Sequence, residues 1–284
     1  MHEADVRAAL AFHPATRQLA TCPLTVVPGG LSNHAWYADY DGARYFIRLG
    51  APEAERLGVD RKSECVLLAT TAAAGLSPAV VACEPASRLL VTHFVTGRHW
   101  QRDDAHDPRN LRRIGASLRR LHSLPRRPGV RSLSFAAQAA QLESQLAVLG
   151  PVDVRVKRAG LQAVAELAER RVPATLCHND LHHLNVIDDG DRLWLVDWEY
   201  GGCGDPLFDL AGFLCQHDAT ADQRRVMLES YGEPSLAGSR SLDAACRLFD
   251  YVQWLWFRMW TATHPGTAGE YAARAETLAV RLVT

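Results

Sequence analysis

Three residues of this chain have the types and spacing to do chemistry together: Asp180, Asn185 and Asp197. They lie in Cys177-His178-Asn179-Asp180-Leu181-His182-His183-Leu184-Asn185 and in Leu195-Val196-Asp197-Trp198-Glu199. Phosphoryl transfer calls for such a set. The triphosphate and the group in flight are densely negative and need a cation beside them, and a hydroxyl nucleophile needs a carboxylate to orient it and take its proton. Magnesium prefers oxygen ligands, keeps some of its water and bridges phosphates. Asp180 supplies the carboxylate base, and Asn185 and Asp197 supply oxygen ligands. Antiparallel pairing of 185–188 with 192–196 returns Asn185 and Asp197 to the same end of a hairpin. A rival set, His178 and His182 as zinc ligands at helical spacing, is disfavoured because 184–187 runs into a strand and no third ligand is evident.

The elements that must position these groups change character along the chain. Residues 1–20 read as a helix and 24–28 as a short strand. Gly29-Gly30-Leu31-Ser32-Asn33 follows as a flexible turn. Runs 34–40 and 43–49 alternate like strands around Asp41-Gly42, a strong hairpin signal. Residues 60–74 read as a helix from Asp60 as N-cap to Gly75 as C-cap. Strands are expected at 79–83 and 88–95. After Thr96-Gly97, helical spacing takes over: Leu111, Ile114, Leu118 and Leu121, then 134–149, 157–171, 206–217, 220–231, 241–262 and 267–283. The pattern implies an α+β chain with a small antiparallel β-rich N-lobe (1–95) and a larger, mainly helical C-lobe (96–284).

The order His178-x-Asp180-x-x-x-x-Asn185, followed by a strand ending in Asp197, resembles the catalytic segment of protein kinases. It is more similar to the aminoglycoside phosphotransferase and choline kinase superfamily. Val196-Asp197-Trp198-Glu199-Tyr200 resembles that superfamily's choline/ethanolamine and thiamine kinase branch. The likeness covers about 25–260 and implies a protein-kinase-like two-lobe fold, an ATP substrate and Mg2+. It assigns Gly30, Ser32 and Asn33 to the loop over the triphosphate, although a Gly-Gly turn taken alone marks only a hairpin. It places Arg48 where protein kinases use lysine, with Glu64 as the residue that holds it; read singly, these are two surface charges. It assigns 89–97 to the lobe linker, with adenine bonded to the backbone of His93 or Val95. It makes His178 and Asp209 braces of the catalytic loop, Asp209 being also well placed for the positive end of its helix.

The acceptor is read from Tyr251-Val252-Gln253-Trp254-Leu255-Trp256-Phe257-Arg258-Met259-Trp260. Aromatic faces attract quaternary ammonium groups, by about 0.5–2 kcal/mol per well-placed ring. Trp254, Trp256 and Trp260, with Glu199 and Asp205 for charge, could hold such a cation, and taken together with the resemblance of Val196–Tyr200 to the choline/ethanolamine and thiamine kinase branch they imply a small cationic alcohol of that type. The same rings also suit a helical core. Two further readings stand beside this one: an aminoglycoside or sugar kinase on the same scaffold, and a kinase-like protein that binds nucleotide or metabolite without catalysis.

Bulk properties limit the other classes. Of 284 residues 22% are charged and 48% apolar, with a formal net charge of -1. That balance disfavours a nucleic-acid or anionic-membrane coat. No apolar run reaches the ~18 residues of a spanning helix, and the first residues, Met-His-Glu-Ala-Asp, do not form a secretory signal. A cytoplasmic monomer or homodimer is expected. The seven cysteines, 22, 65, 83, 177, 203, 215 and 246, lack C-x-x-C spacing and are expected to be reduced.

Overall fold

The structure is a computed structural model. It describes residues 3–28, 33–52, 54, 58–150, 152–170, 172–264, 266 and 268–284. The chain opens with α1 (Glu3–Phe12), β1 (Thr25–Val27), β2 (Asn33–Tyr40), β3 (Ala43–Gly50), α2 (Arg61–Ala73), β4 (Val80–Glu84) and β5 (Leu89–His93). Then come β6 (Arg98–His99), α3 (Pro108–His122), α4 (Phe135–Leu149), α5 (Val154–Leu167), β7 (Thr175–Cys177), β8 (Val186–Asp188) and β9 (Leu193–Leu195). It closes with β10 (Gly202–Gly204), α6 (Leu207–Gln216), α7 (Ala221–Tyr231), α8 (Arg240–Thr263) and α9 (Ala268–Val283).

Packing divides these elements into two compact units, one of residues 1–104, 124–131 and 178–202, the other of 105–123, 132–177 and 203–284. The first is built on a five-stranded sheet in the order β1-β2-β3-β5-β4. Its neighbours pair antiparallel. The β2–β3 turn needs two left-handed residues, and Asp41 (φ 50°) and Gly42 (φ 73°) supply them. Val6, Leu10 and Leu19 are fully buried with Trp36, Ile47, Leu49, Leu89 and Val91 in one apolar cluster. The helix expected over 1–20 ends at Phe12, and a 3-10 turn (Arg17–Thr21) follows. Pro14 explains the break: it disfavours helical backbone at His13 and donates no hydrogen bond.

Helix α2 starts where its cap residue dictates. The Asp60 side chain accepts from the N–H groups of Lys62 and Ser63. Gly75 (φ 66°) takes the left-handed conformation just past its end. The Thr71 and Ser77 hydroxyls, 2.7 Å apart, fasten that end of the helix. The expectation of seven reduced cysteines is corrected here: Cys65 on α2 and Cys83 on β4 form a disulfide with their Cα atoms 5.6 Å apart. Sequence spacing could not show this, because the pair is brought together by helix-on-sheet packing rather than by a local motif.

A second sheet in this unit runs β6-β8-β9. Its β8–β9 hairpin pairs Val186 with Leu195 and Asp188 with Leu193. The Leu195 N–H donates to the Leu76 carbonyl at 2.8 Å, which ties the hairpin to the loop after α2.

The other unit is helical, with a two-stranded β10-β7 ribbon. Helix α8 runs for 24 residues and is packed by α4, α5, α6 and α9. Helix α3 turns Leu111, Ile114, Leu118 and Leu121 inward, all fully buried, and packs on α7. Among the described residues, no helix is long and apolar enough to cross a membrane.

Candidate active site

Strand β7 ends at Cys177, and the next residues form a tight loop. Asn179 is left-handed (φ 66°), an unusual backbone for a side-chain-bearing residue that asparagine tolerates. The loop is tied to the segment after β9. His178 Nε2 lies 2.9 Å from the Val196 carbonyl oxygen, and the Asn179 side-chain amide donates to the Tyr200 carbonyl at 3.1 Å. The His178 ring also packs 4.5 Å from the Trp198 ring, and both residues are buried.

Asp180 follows, with its side chain 28% exposed and an oxygen 3.9 Å from His182 Nε2. Asn185 closes the loop from below. Its Nδ2 donates to the Asp180 carbonyl at 2.8 Å, so its amide oxygen is the atom left to face a ligand. The Val196 N–H donates to the Asn185 carbonyl at 3.0 Å, so the base of the hairpin holds Asn185 beside the residue that precedes Asp197. Asp197 is itself left-handed (φ 64°), and its carboxylate is 41% exposed. Two oxygen donors of the kind magnesium takes thus sit at one end of one ribbon, with Asp180 on the same loop.

Behind them lies a buried ionic network. Arg48 on β3 meets Glu64 on α2 at 2.7 Å and reaches Asp197 at 3.5 Å. Arg61 contacts Glu64 at 2.8 Å and Glu199 at 3.3 Å. Arg48, Arg61, Glu64 and Glu199 are each 5% exposed or less. Burial works against the Glu64 charge, but the guanidinium groups of Arg48 and Arg61 more than offset it and hold the carboxyl below its ordinary range. Burial likewise opposes the Arg48 charge, and Glu64, Glu199 and Asp197 overcome it, raising its pKa. Asp197 is pushed up, first by burial and then by the neighbouring Glu199 carboxylate. Solvent reaching its exposed oxygens limits the first of these.

Arg61 is a site residue that sequence reasoning missed. It stands three positions before Glu64, so both lie on one face of α2; that spacing was the available signal. Gly50 makes room for it, since a Cβ there would come within 2.6 Å of the Arg61 Nη2. Arg131 was missed as well. Its backbone N–H donates to the Ser63 hydroxyl at 2.9 Å and its Nε to the Gly201 carbonyl at 3.0 Å, while another guanidinium N–H reaches the Gly58 carbonyl. It therefore holds the start of α2 to the segment that follows Glu199.

The other expected site residues are placed as follows. Gly30 and Ser32 lie outside the described residues, and Asn33 is described as backbone only, paired with Gly50. The His93 N–H donates to the Ala79 carbonyl at 2.9 Å, so that donor is already used; Val95 follows two residues later in an irregular stretch. In the helical unit, Asp209 is buried in the first turn of α6 with an oxygen 3.0 Å from His122 Nε2. Trp254 and Trp260 are 2% and 5% exposed, while Trp256 is half-buried and stacks on Trp260 at 5.2 Å. Asp205 is bound by Arg170 at 3.1 Å.

Among the described residues, the group of His, Cys and acidic side chains close enough to share a metal ion is His122, Cys177 and Asp209. The loop histidines 178 and 182 are not in it. Hydrogen bonds account for the group: His122 joins Asp209 to the Tyr231 hydroxyl, and burial pushes the Cys177 thiol well up, which keeps it protonated.

Asp180, Asn185 and Asp197 thus share one loop and ribbon in front of a buried arginine–glutamate pair. Residues 23–245 match the phosphotransferase enzyme family, and the chain belongs to that family. It is similar to a choline/ethanolamine kinase family protein from Mesorhizobium loti, with a TM-score of 0.79 and 26% identity over 99% of this chain and 94% of that one. The two share the fold, an antiparallel sheet followed by a helical portion. Protein LicA of Haemophilus influenzae is 42% identical over 55 residues, 19% of this chain and 21% of LicA. Streptomycin 6-kinase of Streptomyces griseus is 37% identical over 121 residues, 40% of this chain and 39% of that protein. The chain thus matches less than half the length of these two relatives.

Proposed function

We propose that the protein is an ATP- and Mg2+-dependent kinase that phosphorylates the hydroxyl of a small cationic alcohol of choline, ethanolamine or thiamine type. The observation that carries the reading is the clasp at the base of the β8–β9 hairpin, where Asn185 accepts from the residue before Asp197 and donates to the Asp180 carbonyl. Asp180 orients the acceptor hydroxyl and accepts its proton as the bond to phosphorus forms, and the phosphoryl group passes directly from ATP to the acceptor. Asn185, through its amide oxygen, and Asp197 hold the magnesium. When bound, that ion neutralises charge on the phosphates. Arg48, kept in place by Glu64, pairs with the α- and β-phosphates; its fork suits that geometry. Gly30, Ser32 and Asn33 cover the phosphates, and the Val95 backbone reads the base. His178 and Asp209 brace the catalytic loop. In this reading the N-lobe ends near residue 95.

For the acceptor, the likeness to a choline/ethanolamine kinase family protein over almost the full chain supports a cationic alcohol. Trp256, half-buried where Trp254 and Trp260 are buried, is the candidate for cation–π contact. The streptomycin 6-kinase likeness favours a second reading, an aminoglycoside acceptor. A coupled ADP-release screen over choline, ethanolamine, thiamine, sugars and aminoglycosides separates the two. Turnover with a cationic alcohol that Asp180→Asn abolishes, with Mg-ADP affinity retained, is the expected result. Full turnover in Asp180→Asn refutes the base assignment.

A further inference from the structure

The disulfide lies in the row of the structure that sets the Arg48–Glu64 pair. Across the sheet, Arg48 on β3 is opposite Leu90 on β5, and Leu90 is opposite Cys83 on β4. Cys83 is bonded to Cys65, the residue that directly follows Glu64 on α2. A covalent strut therefore fixes the height of α2 above the sheet at the level where Arg48 meets Glu64. The rest of α2 is held by noncovalent ties, Ser63 to Arg131 near its start and Thr71 to Ser77 near its end. Both bridged cysteines are half-buried and within reach of solvent, whereas Cys177, Cys203, Cys215 and Cys246 are buried.

We propose that Cys65 and Cys83 form a redox-modification site that governs nucleotide binding: bridged, they clamp Glu64 against Arg48, and reduction by a dithiol frees α2 and weakens the hold on the triphosphate. This rests on the phosphotransferase reading above. In the reducing step, one thiolate of the dithiol attacks a bridge sulfur and forms a mixed disulfide. Its second thiolate then displaces the remaining cysteine. The protein gains two electrons and two protons as two thiols, and the dithiol leaves as its own disulfide. Freed of the strut, α2 is held through ties that open more readily, so the guanidinium of Arg48 is less well ordered for phosphate.

The test compares air-oxidised and dithiothreitol-treated protein. Alkylation under denaturing conditions is expected to label five cysteines in the first and all seven in the second. Calorimetric titration with Mg-ADP is expected to give a Kd at least about fivefold higher in the reduced form, the low end of ordinary site-to-site coupling. In turnover, KM for ATP rises with it while kcat changes less. Hydrogen exchange of peptides covering α2 is expected to speed up on reduction. Cys65→Ser/Cys83→Ser is expected to show the reduced-form Kd with and without reductant, and re-oxidation is expected to restore the wild-type protein. Seven labels in both preparations, or equal Kd values in both, overturn the switch. Absence of Mg-ADP binding to either form refutes the phosphotransferase reading itself. In that case the exchange of α2 still decides whether the bridge clamps the helix.

Discussion

Replacing Arg61 with methionine probes the ionic network where it is most tightly closed. The guanidinium is 5% exposed and touches two carboxylates, Glu64 at 2.8 Å and Glu199 at 3.3 Å. Methionine fills most of the stem volume but removes the charge, so two buried carboxylates each lose an ion-pair partner. Removing one partner of a buried pair costs about 3–5 kcal/mol, because the surviving charge stays desolvated. With an m value of about 3 kcal/mol/M, the urea midpoint falls by roughly 1–1.7 M. Adding Glu199→Gln removes the charge of one of these two carboxylates. The double variant is therefore expected to recover about 0.5–3 kcal/mol relative to the sum of the single losses. Intrinsic fluorescence and far-UV circular dichroism across a urea series measure all four proteins. A loss below about 1 kcal/mol in Arg61→Met, together with strict additivity in the double variant, refutes the claim that this guanidinium holds the network together.

Three further outcomes follow from the same region. Gly50→Ala sets a methyl 2.6 Å from Arg61 Nη2, and the crowding is expected to cost about 1–3 kcal/mol, read as a lower urea midpoint. Asp197→Asn keeps the backbone conformation and removes the charge; Mg-ADP affinity is expected to fall at least about tenfold, with the stimulation by Mg2+ largely lost, by titration with and without the ion. Glu64 has its folded pKa held below the unfolded value near 4.5, so its stabilising contribution is complete above that pH and is lost as the pH falls through the lower, folded value. The gap in urea midpoint between wild type and Glu64→Gln is therefore expected to narrow as the pH falls below 4.5.

Local rules made much of this legible in the sequence. Asp41-Gly42 needs left-handed backbone and declared its hairpin, and Asp60 and Gly75 bounded α2 by capping chemistry. The Asp180–Asn185–Asp197 spacing marked a loop and ribbon because hairpin pairing maps separation in sequence onto position in space. What stayed hidden depended on packing between distant segments. Arg61 reads as a surface charge until Gly50 opens a place for it under the sheet. Glu199 reads as a charge for a cationic acceptor, yet it is buried against Arg61. Strands β6, β7 and β10 have two or three residues each, too short for periodicity to register. Cys65 and Cys83 are 18 residues apart, with a helix and a turn between them, and only the docking of α2 makes them neighbours.

The left-handed backbone at Asp197 restricts the residues that can stand there. Besides glycine, aspartate and asparagine are the side chains that settle readily into that conformation, and of the three only aspartate carries a charge. Glutamate, chemically the mildest replacement, therefore demands both a reshaped main chain and a longer reach. The conformation of the peptide alone narrows this position to three residues, and the proposed metal role would narrow it to the same charged one for an unrelated reason.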